Sequence, residues 1–309
     1  MEHDELPILM PAAGWLKAPE QVATLAPLGL PIVTVGSFTL PPLTGNAGDV
    51  FYLGYSGLFG LNSIGLKNPG FEAFLDQFEA FVEAAGSMHL RVSISPLKPG
   101  DIEYMVRRLC EVAKRLKISI TIEVNLGCPN VWDDSGQKPL TSYDREAVQT
   151  ALQEIERAQP GINVFIAVKF SPVTPDLIPV HAELCELHGV NEIVTSNTFP
   201  NASYREPHEG RPRIRATSQD GVLLTTVGGL SGPALLPIAL GQVFMFKNHI
   251  EQKGFSARVT GVGGIHDGES LRQHVIHGAD ACQVGTAYFS SDNPGVFSDI
   301  LTGYADQYL

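Results

Sequence analysis

The sequence predicts a closed (β/α)8 TIM barrel of the α/β class, formed by a single domain over residues 1–309. Eight short runs rich in Val, Ile and Leu are each followed by an amphipathic helical pattern. Several runs are apolar throughout, which is typical of strands buried on both faces of a parallel sheet. Eight such units without a linker or low-complexity segment favour one barrel, with long loops over the C-terminal face of its strands.

The elements follow from hydrophobic spacing. The predicted strands are Ile8–Ala12, Pro31–Val35, Leu90–Ser95, Ser119–Leu126, Val164–Phe170, Glu192–Asn197, Arg258–Gly263 and Asp280–Gly285. The predicted helices cover about residues 19–28, 71–81, 102–116, 144–158, 175–188, 232–252, 268–277 and 294–307. A phenylalanine stripe in the second helix (Phe71, Phe74, Phe78 and Phe81) has helical spacing, so we expect it to pack in the core rather than bind a cofactor.

Two connections are long for a compact domain. One runs from Gly36 to Pro69, and the other from Asn197 to about Gly232. Long connections are often functional, and loops that follow barrel strands form the active-site face. We therefore expect these two segments to build the wall of the site.

Composition narrows the function. With 44% hydrophobic and 17% charged residues, the 309-residue chain is globular rather than collagenous, disordered or disulfide-stapled. Its net charge of −12 disfavours nucleic-acid binding, which needs Lys and Arg to neutralise phosphates. The longest apolar stretch, Pro233–Phe246, is broken by Pro237 and Gly241, so no membrane span is expected.

The N-terminus and the cysteines indicate a cytoplasmic protein. Residues 1–6 are acidic and lack the basic start of a signal peptide. The four cysteines form no CxxC pair, so we expect no metal site and a reducing setting. We interpret Cys110, Cys185 and Cys282 as structural residues, because they fall in helices or inside a strand.

Cys128 is different, because Asn125-Leu126-Gly127-Cys128-Pro129-Asn130 ends the fourth strand with small and polar residues. A thiol there lies at the rim where barrel enzymes place catalytic groups. It is flanked by two carboxamides and followed by the polar segment Val131–Thr141. The sequence therefore predicts a functional thiol at this position.

Glycine clusters predict a phosphate site. They occur at Gly228–Gly232, at Gly261–Gly264 after the seventh strand, and at Gly285-Thr286 after the eighth. Glycine lets backbone N–H groups approach a phosphate, and the loops after strands seven and eight are the usual phosphate site of such barrels.

Lys169 lies within the otherwise apolar fifth strand, in Ile-Ala-Val-Lys-Phe. An ammonium group is costly to bury without an anionic partner. A cofactor phosphate or a reduced flavin ring would supply that negative charge; otherwise the side chain would extend to the rim.

These features together resemble the dihydroorotate dehydrogenase family, whose members are FMN-dependent barrel enzymes of pyrimidine synthesis. The resemblance covers nearly the whole chain and rests on the order and spacing of its motifs. The motifs are Pro11–Gly14, Val35–Thr39 with Gly45-Asn46, Asn62–Gly70, Asn125–Asn130, Ala167–Lys169, Val194–Thr198, Gly228–Pro233, Gly261–Ile265 and Gln283–Thr286.

The resemblance implies oxidation of dihydroorotate to orotate. Cys128 would be the base that removes the C5 proton while C6 delivers hydride to flavin N5. A free thiol has a pKa of about 8.5, so a site that favours the thiolate would make Cys128 a base near neutral pH. The implied substrate residues are Lys17, Asn62, Gly65, Leu66, Asn125, Asn130, Asn197 and Thr198. Their carboxamides can both donate to and accept from a pyrimidine.

The resemblance also implies the FMN site. Lys169 would stabilise negative charge on the reduced flavin, and Val131–Thr141 would be a lid that excludes water. The implied cofactor residues are Ala12, Ala13, Gly14, Gly36, Ser37, Ser93, Asn125, Lys169, Thr195, Ser231, Gly232, Gly263, Gly264, Gly285 and Thr286. The partners implied are a small-molecule substrate and a second copy of the chain in a homodimer.

Two positions depart from the family pattern. Val35 stands where soluble members usually carry a lysine, whereas Lys17 falls where the membrane-associated class has its flavin- and orotate-contacting lysine. The chain thus combines the Cys base of the soluble class with a lysine of the other class. The electron acceptor stays open between fumarate, NAD through a partner subunit, and a quinone.

Other functions stay open as well. The same barrel serves FMN-dependent dihydropyrimidine oxidoreductases, and a flavin-binding relative without this activity is a further alternative. Dihydrouridine synthases share an Asn-x-Gly-Cys-Pro segment, but they act on tRNA, which the acidic charge disfavours. A flavin-free phosphate-sugar isomerase or lyase barrel would use the phosphate loops without needing the Asn and Cys residues.

Overall fold

The barrel is present in the computed structural model, which describes residues 6–133, 136–291 and 293–308. Its eight strands, β1 to β8, are Leu9–Pro11, Ile32–Phe38, His89–Ile94, Ile120–Asn125, Val164–Phe170, Glu192–Thr195, Arg258–Val262 and Ala281–Val284. They form one parallel sheet in the order β1-β8-β7-β6-β5-β4-β3-β2. Between β1 and β2, Gly14 N donates to Gly36 O at 2.6 Å and Gly36 N to Leu16 O at 2.9 Å, so the barrel is nearly closed.

All eight predicted strands are confirmed, and their bounds differ by at most three residues from the prediction. The second strand continues to Phe38, three residues beyond its predicted end, because its polar continuation still pairs with β3. The sixth ends at Thr195, two residues early, because the chain there turns into the site.

Helices cover the outside of the sheet. They are Pro19–Ala23, Phe71–Asp76, Phe78–Ala85, Asp101–Leu116, Arg145–Ala158, Leu177–Leu187, Leu236–Lys253, Gly268–Ile276, Thr286–Ser291 and Val296–Tyr308. The second predicted helix is divided at Gln77, where φ is −105° and ψ is 9°. The short helix Thr286–Ser291 was not predicted, since it follows β8 without an intervening loop.

The phenylalanine stripe packs in the core, as its spacing predicts. Phe74 stacks on Phe38 of β2 with ring centroids 4.1 Å apart, and Phe81 meets both rings at their edges. Phe71, Phe74, Phe78 and Phe81 are all buried. These contacts fix the two short helices on β2, the strand that carries Ser37 to the site.

The two long connections pair with each other as small antiparallel sheets. One sheet contains, in spatial order, Phe199–Ala202, Gly228–Ser231, Phe59–Asn62 and Phe51–Gly54. The other contains Leu223–Thr225, Arg215–Thr217 and Ala47–Asp49. Strands of three or four residues give too little alternation to be recognised in a sequence. They join the two segments above the carboxyl ends of the barrel strands.

Part of the predicted lid segment is a hairpin of Trp132–Asp133 with Gly136–Gln137. Residues 134 and 135 of that segment lie outside the described residues. Within the described part of the chain, no helix combines the length and the apolar character needed to cross a bilayer.

Candidate active site

Two adjoining cavities lie at the carboxyl ends of the barrel strands. The larger has a volume of about 570 Å3 and the smaller about 130 Å3. Residues that line both are Ala13, Trp15, Asn62, Lys169, Asn197 and Thr198. Because parallel strands end at the same edge, side chains distant in sequence meet here.

The smaller cavity gathers every residue that the sequence assigned to catalysis or substrate. Its lining includes Lys17, Asn62, Gly65, Leu66, Asn125, Cys128, Asn130, Asn197 and Thr198. They come from the β1 loop, the first antiparallel sheet, and the loops after β4 and β6. The cavity is therefore polar on several sides and small enough for one planar ring.

Its four carboxamides form two hydrogen-bonded pairs. Asn130 Nδ2 donates to Asn62 Oδ1 at 2.8 Å, and Asn197 Nδ2 donates to Asn125 Oδ1 at 3.0 Å. Asn125 also donates to Ser37 Oγ at 3.1 Å. These bonds orient the amide groups, so that their free donors and acceptors are fixed before a ligand binds.

Cys128 is half-buried as a residue, but its thiol is enclosed by the protein. Burial raises its pKa to about 11, while a backbone hydrogen bond with Asn130 and the positive charge of Lys17 act in the opposite direction. Desolvation dominates because the thiolate loses more hydration than these two groups return. A thiolate formed here is consequently a strong base.

Lys17 brings its ammonium group to the same end of the cavity. Its Nζ donates to Ser37 O at 2.7 Å and lies 5.7 Å from the centre of the Phe38 ring. Burial lowers the pKa of Lys17 to about 8, and the Cys128 thiolate opposes that shift. Val35, at the position where soluble family members usually carry a lysine, is fully buried.

The larger cavity gathers most of the residues assigned to a cofactor. They are Ala12, Ala13, Lys169, Ser231, Gly232, Gly263, Gly264, Gly285 and Thr286. Gly14, Ser37 and Asn125 instead line the smaller cavity.

Three assigned cofactor residues line neither cavity. Ser93 lies behind Ser37, with 2.8 Å between their hydroxyl oxygens. A Cβ added to Gly36 would lie 2.3 Å from Ser93 O, so glycine there permits close packing of the backbone. Thr195 is fully buried, and the next residue, Ser196, lines the larger cavity in its place.

The glycine loops leave room beside their backbone. Gly264 has φ +79°, and a Cβ there would lie 2.5 Å from Leu236 Cβ, so only glycine lets this loop pack on the preceding helix Leu236–Lys253. A Cβ on Gly285 would meet only Ala12 Cβ, at 3.6 Å, because the cavity lies in front of it. The backbone after β8 is thus open to a ligand, as a phosphate site requires, and the tightly packed loop after β7 lines the same cavity.

Other features of the larger cavity also suit a cofactor. Thr198 Oγ1 is buried and has no hydrogen-bond partner within the described residues. Trp15 stacks on Phe289 with centroids 3.6 Å apart, and Phe51 contacts the same ring at its edge. An unpaired hydroxyl, an aromatic wall and glycine loops fit a ring system that carries a phosphate.

Lys169 is buried between the two cavities. Its Nζ donates to Gln283 Oε1 at 2.9 Å and lies 3.7 Å from Glu123 Oε1. Glu123 of the neighbouring strand thus supplies an anionic partner within the protein, and a counter-charge from a cofactor stays a prediction. Burial nevertheless lowers the pKa of Lys169, with Glu123 opposing the shift.

Sequence reasoning missed Trp15, Ser196, Glu123 and Gln283 as parts of this site. Glu123 and Gln283 carried a usable signal, since each interrupts an apolar strand as Lys169 does. Trp15 gave none, because one aromatic residue in a loop has no distinguishing pattern. Of the remaining cysteines, Cys185 and Cys282 are buried as predicted, and burial raises the pKa of both, whereas Cys110 is only half-buried.

Comparison with known proteins gives the family. The dihydroorotate dehydrogenase family model matches residues 5–307. This chain belongs to the dihydroorotate dehydrogenase family. It is therefore an oxidoreductase, and pyrimidine biosynthesis is the pathway that the family implies.

Curated relatives include two kinds of enzyme. The chain is 30% identical over 282 residues to the dihydroorotate dehydrogenase B (NAD+) catalytic subunit of Alkaliphilus oremlandii, covering 89% of this chain and 82% of the relative. It is 32% identical over 266 residues to the dihydroorotate dehydrogenase (fumarate) of Trypanosoma cruzi, covering 85% and 76%.

A solved structure shares the fold. DHODH from Eimeria tenella, crystallised in complex with ferulenol, aligns with a TM-score of 0.75 at 19% identity. The alignment covers 97% of this chain and 81% of the other. It confirms the barrel architecture that the eight β/α units predict.

Proposed function

We propose that this protein oxidises dihydroorotate to orotate with bound FMN, in de novo pyrimidine biosynthesis. The observation that carries the proposal is the convergence of Cys128, four carboxamides and Lys17 on one small cavity. That cavity adjoins a larger one lined by glycine loops, in a chain of the dihydroorotate dehydrogenase family. The pyrimidine would occupy the smaller cavity, and the cofactor would occupy the larger one.

FMN would occupy the larger cavity. The backbone at Gly232, Gly263, Gly264, Gly285 and Thr286 would hold its phosphate, and Lys169 would stand beside its ring. When bound, the flavin supplies a hydride acceptor, which no side chain of the protein provides.

Cys128 would remove the proton from C5 of the substrate as hydride leaves C6. Its high pKa makes the thiolate a strong base, and the nearby Lys17 ammonium increases the fraction of thiolate present at neutral pH. The thiol formed by proton capture is the stable form in this buried position. Proton removal is therefore favoured by the same burial that limits the amount of active thiolate.

Lys17 and the carboxamides would bind and orient the ring. With a pKa of about 8, Lys17 is about nine-tenths protonated at pH 7 and can pair with the substrate carboxylate. The Asn62–Asn130 and Asn125–Asn197 pairs present donors and acceptors that suit the ring N–H and C=O groups. Uracil-type rings lack the carboxylate, so Lys17 favours dihydroorotate over other dihydropyrimidines.

The wider assignments follow from the family. We propose one domain over residues 1–309, a homodimer, a cytoplasmic location and a lid formed by Val131–Thr141. The relatives named above use NAD+ or fumarate, and this chain would pass its electrons to an acceptor of one of those two kinds.

The proposal is tested with the full-length protein as purified. Acid release and chromatography should identify FMN in a near one-to-one ratio, and an assay with an artificial electron acceptor should produce orotate from dihydroorotate. A colourless protein would contradict the cofactor. FMN-loaded protein that oxidises dihydrouracil but not dihydroorotate would favour another dihydropyrimidine as substrate.

A further inference from the structure

Beneath the two cavities, the barrel interior holds a buried group of charged side chains. Arg91, Glu123, Lys169 and Glu192 come from β3, β4, β5 and β6, four consecutive strands. Arg91 and Glu123 have side chains only 2% and 0% exposed, and that of Lys169 is 5% exposed. Charges this deeply buried persist only when each is paired and hydrogen-bonded, so the arrangement around each decides its protonation.

Glu123 and Gln283 form a bridge to Lys169. Gln283 Nε2 donates to Glu123 Oε2 at 2.6 Å, and Gln283 Oε1 accepts from Lys169 Nζ at 2.9 Å. Because its amide nitrogen faces the carboxylate, Gln283 must turn its carbonyl toward the ammonium. The amide thus holds Lys169 at one place on the cavity wall.

The carboxylate of Glu123 forms an ion pair with Lys169 that is too long for a hydrogen bond. Glu123 Oε1 lies 3.7 Å from Lys169 Nζ, beyond hydrogen-bond distance, and it has no hydrogen-bond partner within the described residues. The ammonium therefore feels the negative charge while its remaining N–H groups stay available to the two cavities it lines. A hydrogen bond to the carboxylate would have used one of those donors inside the protein.

Glu192 is the matched carboxylate of the same group. It pairs with Arg91 and accepts from Thr260 Oγ1, and within the described part of the chain it forms neither a hydrogen bond nor an ion pair with Lys169. Arg91 also reaches Glu123 Oε2 at 3.4 Å. The two carboxylates thus have different partners. Glu192 forms its ion pair with Arg91, whereas Glu123 forms ion pairs with both Arg91 and Lys169.

We propose that Glu123, with Gln283, is a positioning pair that keeps Lys169 protonated and fixed at the wall between the two cavities. The pair thereby keeps the positive charge of Lys169 facing an anionic ring bound in the cavity. Where that ring is identified as reduced flavin, the inference rests on the proposed function. Neither residue needs to touch the ligand.

Burial and the neighbouring charges together determine the pKa of Lys169. Burial lowers this pKa most, Glu123 raises it, and Arg91 lowers it. Lys17 and Cys128 line the smaller cavity that Lys169 also lines. Removing the charge of Glu123 leaves burial and Arg91 unopposed, so Lys169 should then lose its proton at a lower pH.

The experiment follows the titration of Lys169 itself in full-length protein labelled with 13Cε-lysine. Loss of one signal in Lys169→Arg assigns the resonance, and its chemical shift is followed from pH 6 to pH 10. In Glu123→Gln, the ratio of neutral to charged Lys169 at a given pH should rise at least about tenfold, the usual effect of losing an opposite charge at this distance. In Glu192→Gln, which removes the same charge from the same group, the ratio should change less than about threefold.

A second variant protects the test if Glu123→Gln does not fold. Gln283→Met keeps the length of the side chain but removes the bridge, and it should also increase the neutral fraction of Lys169. The inference is overturned if Lys169 titrates as in the wild type in Glu123→Gln, or in Gln283→Met where Glu123→Gln does not fold. Equal shifts in Glu123→Gln and Glu192→Gln would overturn it as well.

A flavin readout separates this inference from the proposed function. In FMN-loaded protein, the midpoint potential of the flavin should gain an extra pH-dependent step in Glu123→Gln, at the pH where Lys169 loses its proton. Protein that binds no FMN would contradict the proposed function, while the lysine titration would still decide the role of Glu123.

Discussion

Asn130 donates from Nδ2 to Oδ1 of Asn62 at 2.8 Å, although 68 residues separate them in the chain. Asn62 ends a strand of the first antiparallel sheet, and Asn130 follows the Cys128 segment after β4. The bond therefore joins the wall of the site to the loop that carries the thiol. It fixes two carboxamides in the orientation that a pyrimidine would meet.

Asn130→Ala should weaken orotate binding at least about tenfold, roughly 1.4 kcal/mol. The variant removes one amide and leaves the Asn62 carboxamide without its partner. Isothermal titration calorimetry with orotate measures the change. Asn163→Ala is the matched control, because Asn163 is exposed and precedes β5 at the opposite end of the barrel. Equal affinities in wild type and Asn130→Ala would remove Asn130 from the site.

Cys128→Ala should retain FMN but lose reduction of the flavin by dihydroorotate at neutral pH. This thiol is the proposed base, and the Ala side chain cannot accept a proton. Stopped-flow absorbance under anaerobic conditions measures the rate. Cys110→Ser is the control, since Cys110 is also half-buried but lies in the helix Asp101–Leu116. A variant that reduces its flavin at the wild-type rate would show that another group is the base.

The pH dependence of flavin reduction should report the same thiol. Because burial raises the pKa of Cys128 to about 11, the thiolate fraction grows about tenfold per pH unit below that value. The rate constant for reduction at saturating dihydroorotate should rise accordingly between pH 6 and pH 8. A rate constant that is flat over this range would contradict proton removal by Cys128.

Lys17→Met should weaken orotate binding, and the wild-type affinity should itself fall above pH 8. Lys17 loses its proton as the pH rises through its pKa of about 8, so the product carboxylate loses its cation. Calorimetric titrations from pH 6 to pH 9 measure both effects. Lys114→Met removes the same charge from an exposed helix position and should leave affinity unchanged. An orotate affinity that does not depend on pH would show that Lys17 does not bind the product carboxylate.

His274 should make folding stability depend on acid pH. Its Nε2 lies 3.0 Å from Gly263 O, and burial lowers its pKa from 6.5 to about 4. The unfolded chain therefore binds this proton more readily than the folded protein does. The contribution of neutral His274 to the free energy of unfolding is fully present above pH 6.5. About 3 kcal/mol of it is lost as the pH falls from 6.5 to 4.

Urea unfolding at pH 7 and pH 4 measures that loss. His274→Gln should lose about 3 kcal/mol less than the wild type over this interval, whereas His208→Gln, at an exposed position, should behave as the wild type does. A His274→Gln variant with undiminished pH dependence would contradict the assignment.

Much of the barrel could be predicted from the sequence, because its strands and helices are long enough to show their periods. Val164–Phe170, for example, is an apolar run whose bounds match the strand residue for residue. The antiparallel sheets could not be predicted. Gly228–Ser231 contains two glycines and pairs with Asn62 through Gly229, a contact set by the fold rather than by local pattern.

The candidate site divides in the same way. Cys128 and Lys169 were found because polar residues at the ends of buried strands stand out, whereas the four carboxamides were assigned through the resemblance to the family. The two pairings of the carboxamides, and the sharing of Glu123 between Arg91 and Lys169, depend on which strands are neighbours in space. Thr195 was assigned to the cofactor although Ser196 lines the cavity, because a shift of one residue at a strand end reverses the side that faces the site.

The proposed reaction is the transfer of hydride from dihydroorotate to flavin bound in this protein. It is tested most directly by anaerobic addition of dihydroorotate to the purified protein while the visible flavin absorbance is followed. The absorbance should bleach in a single turnover, and one equivalent of orotate should form for each flavin. FMN-loaded protein whose absorbance stays unchanged at saturating dihydroorotate, while dithionite still bleaches it, would contradict the account.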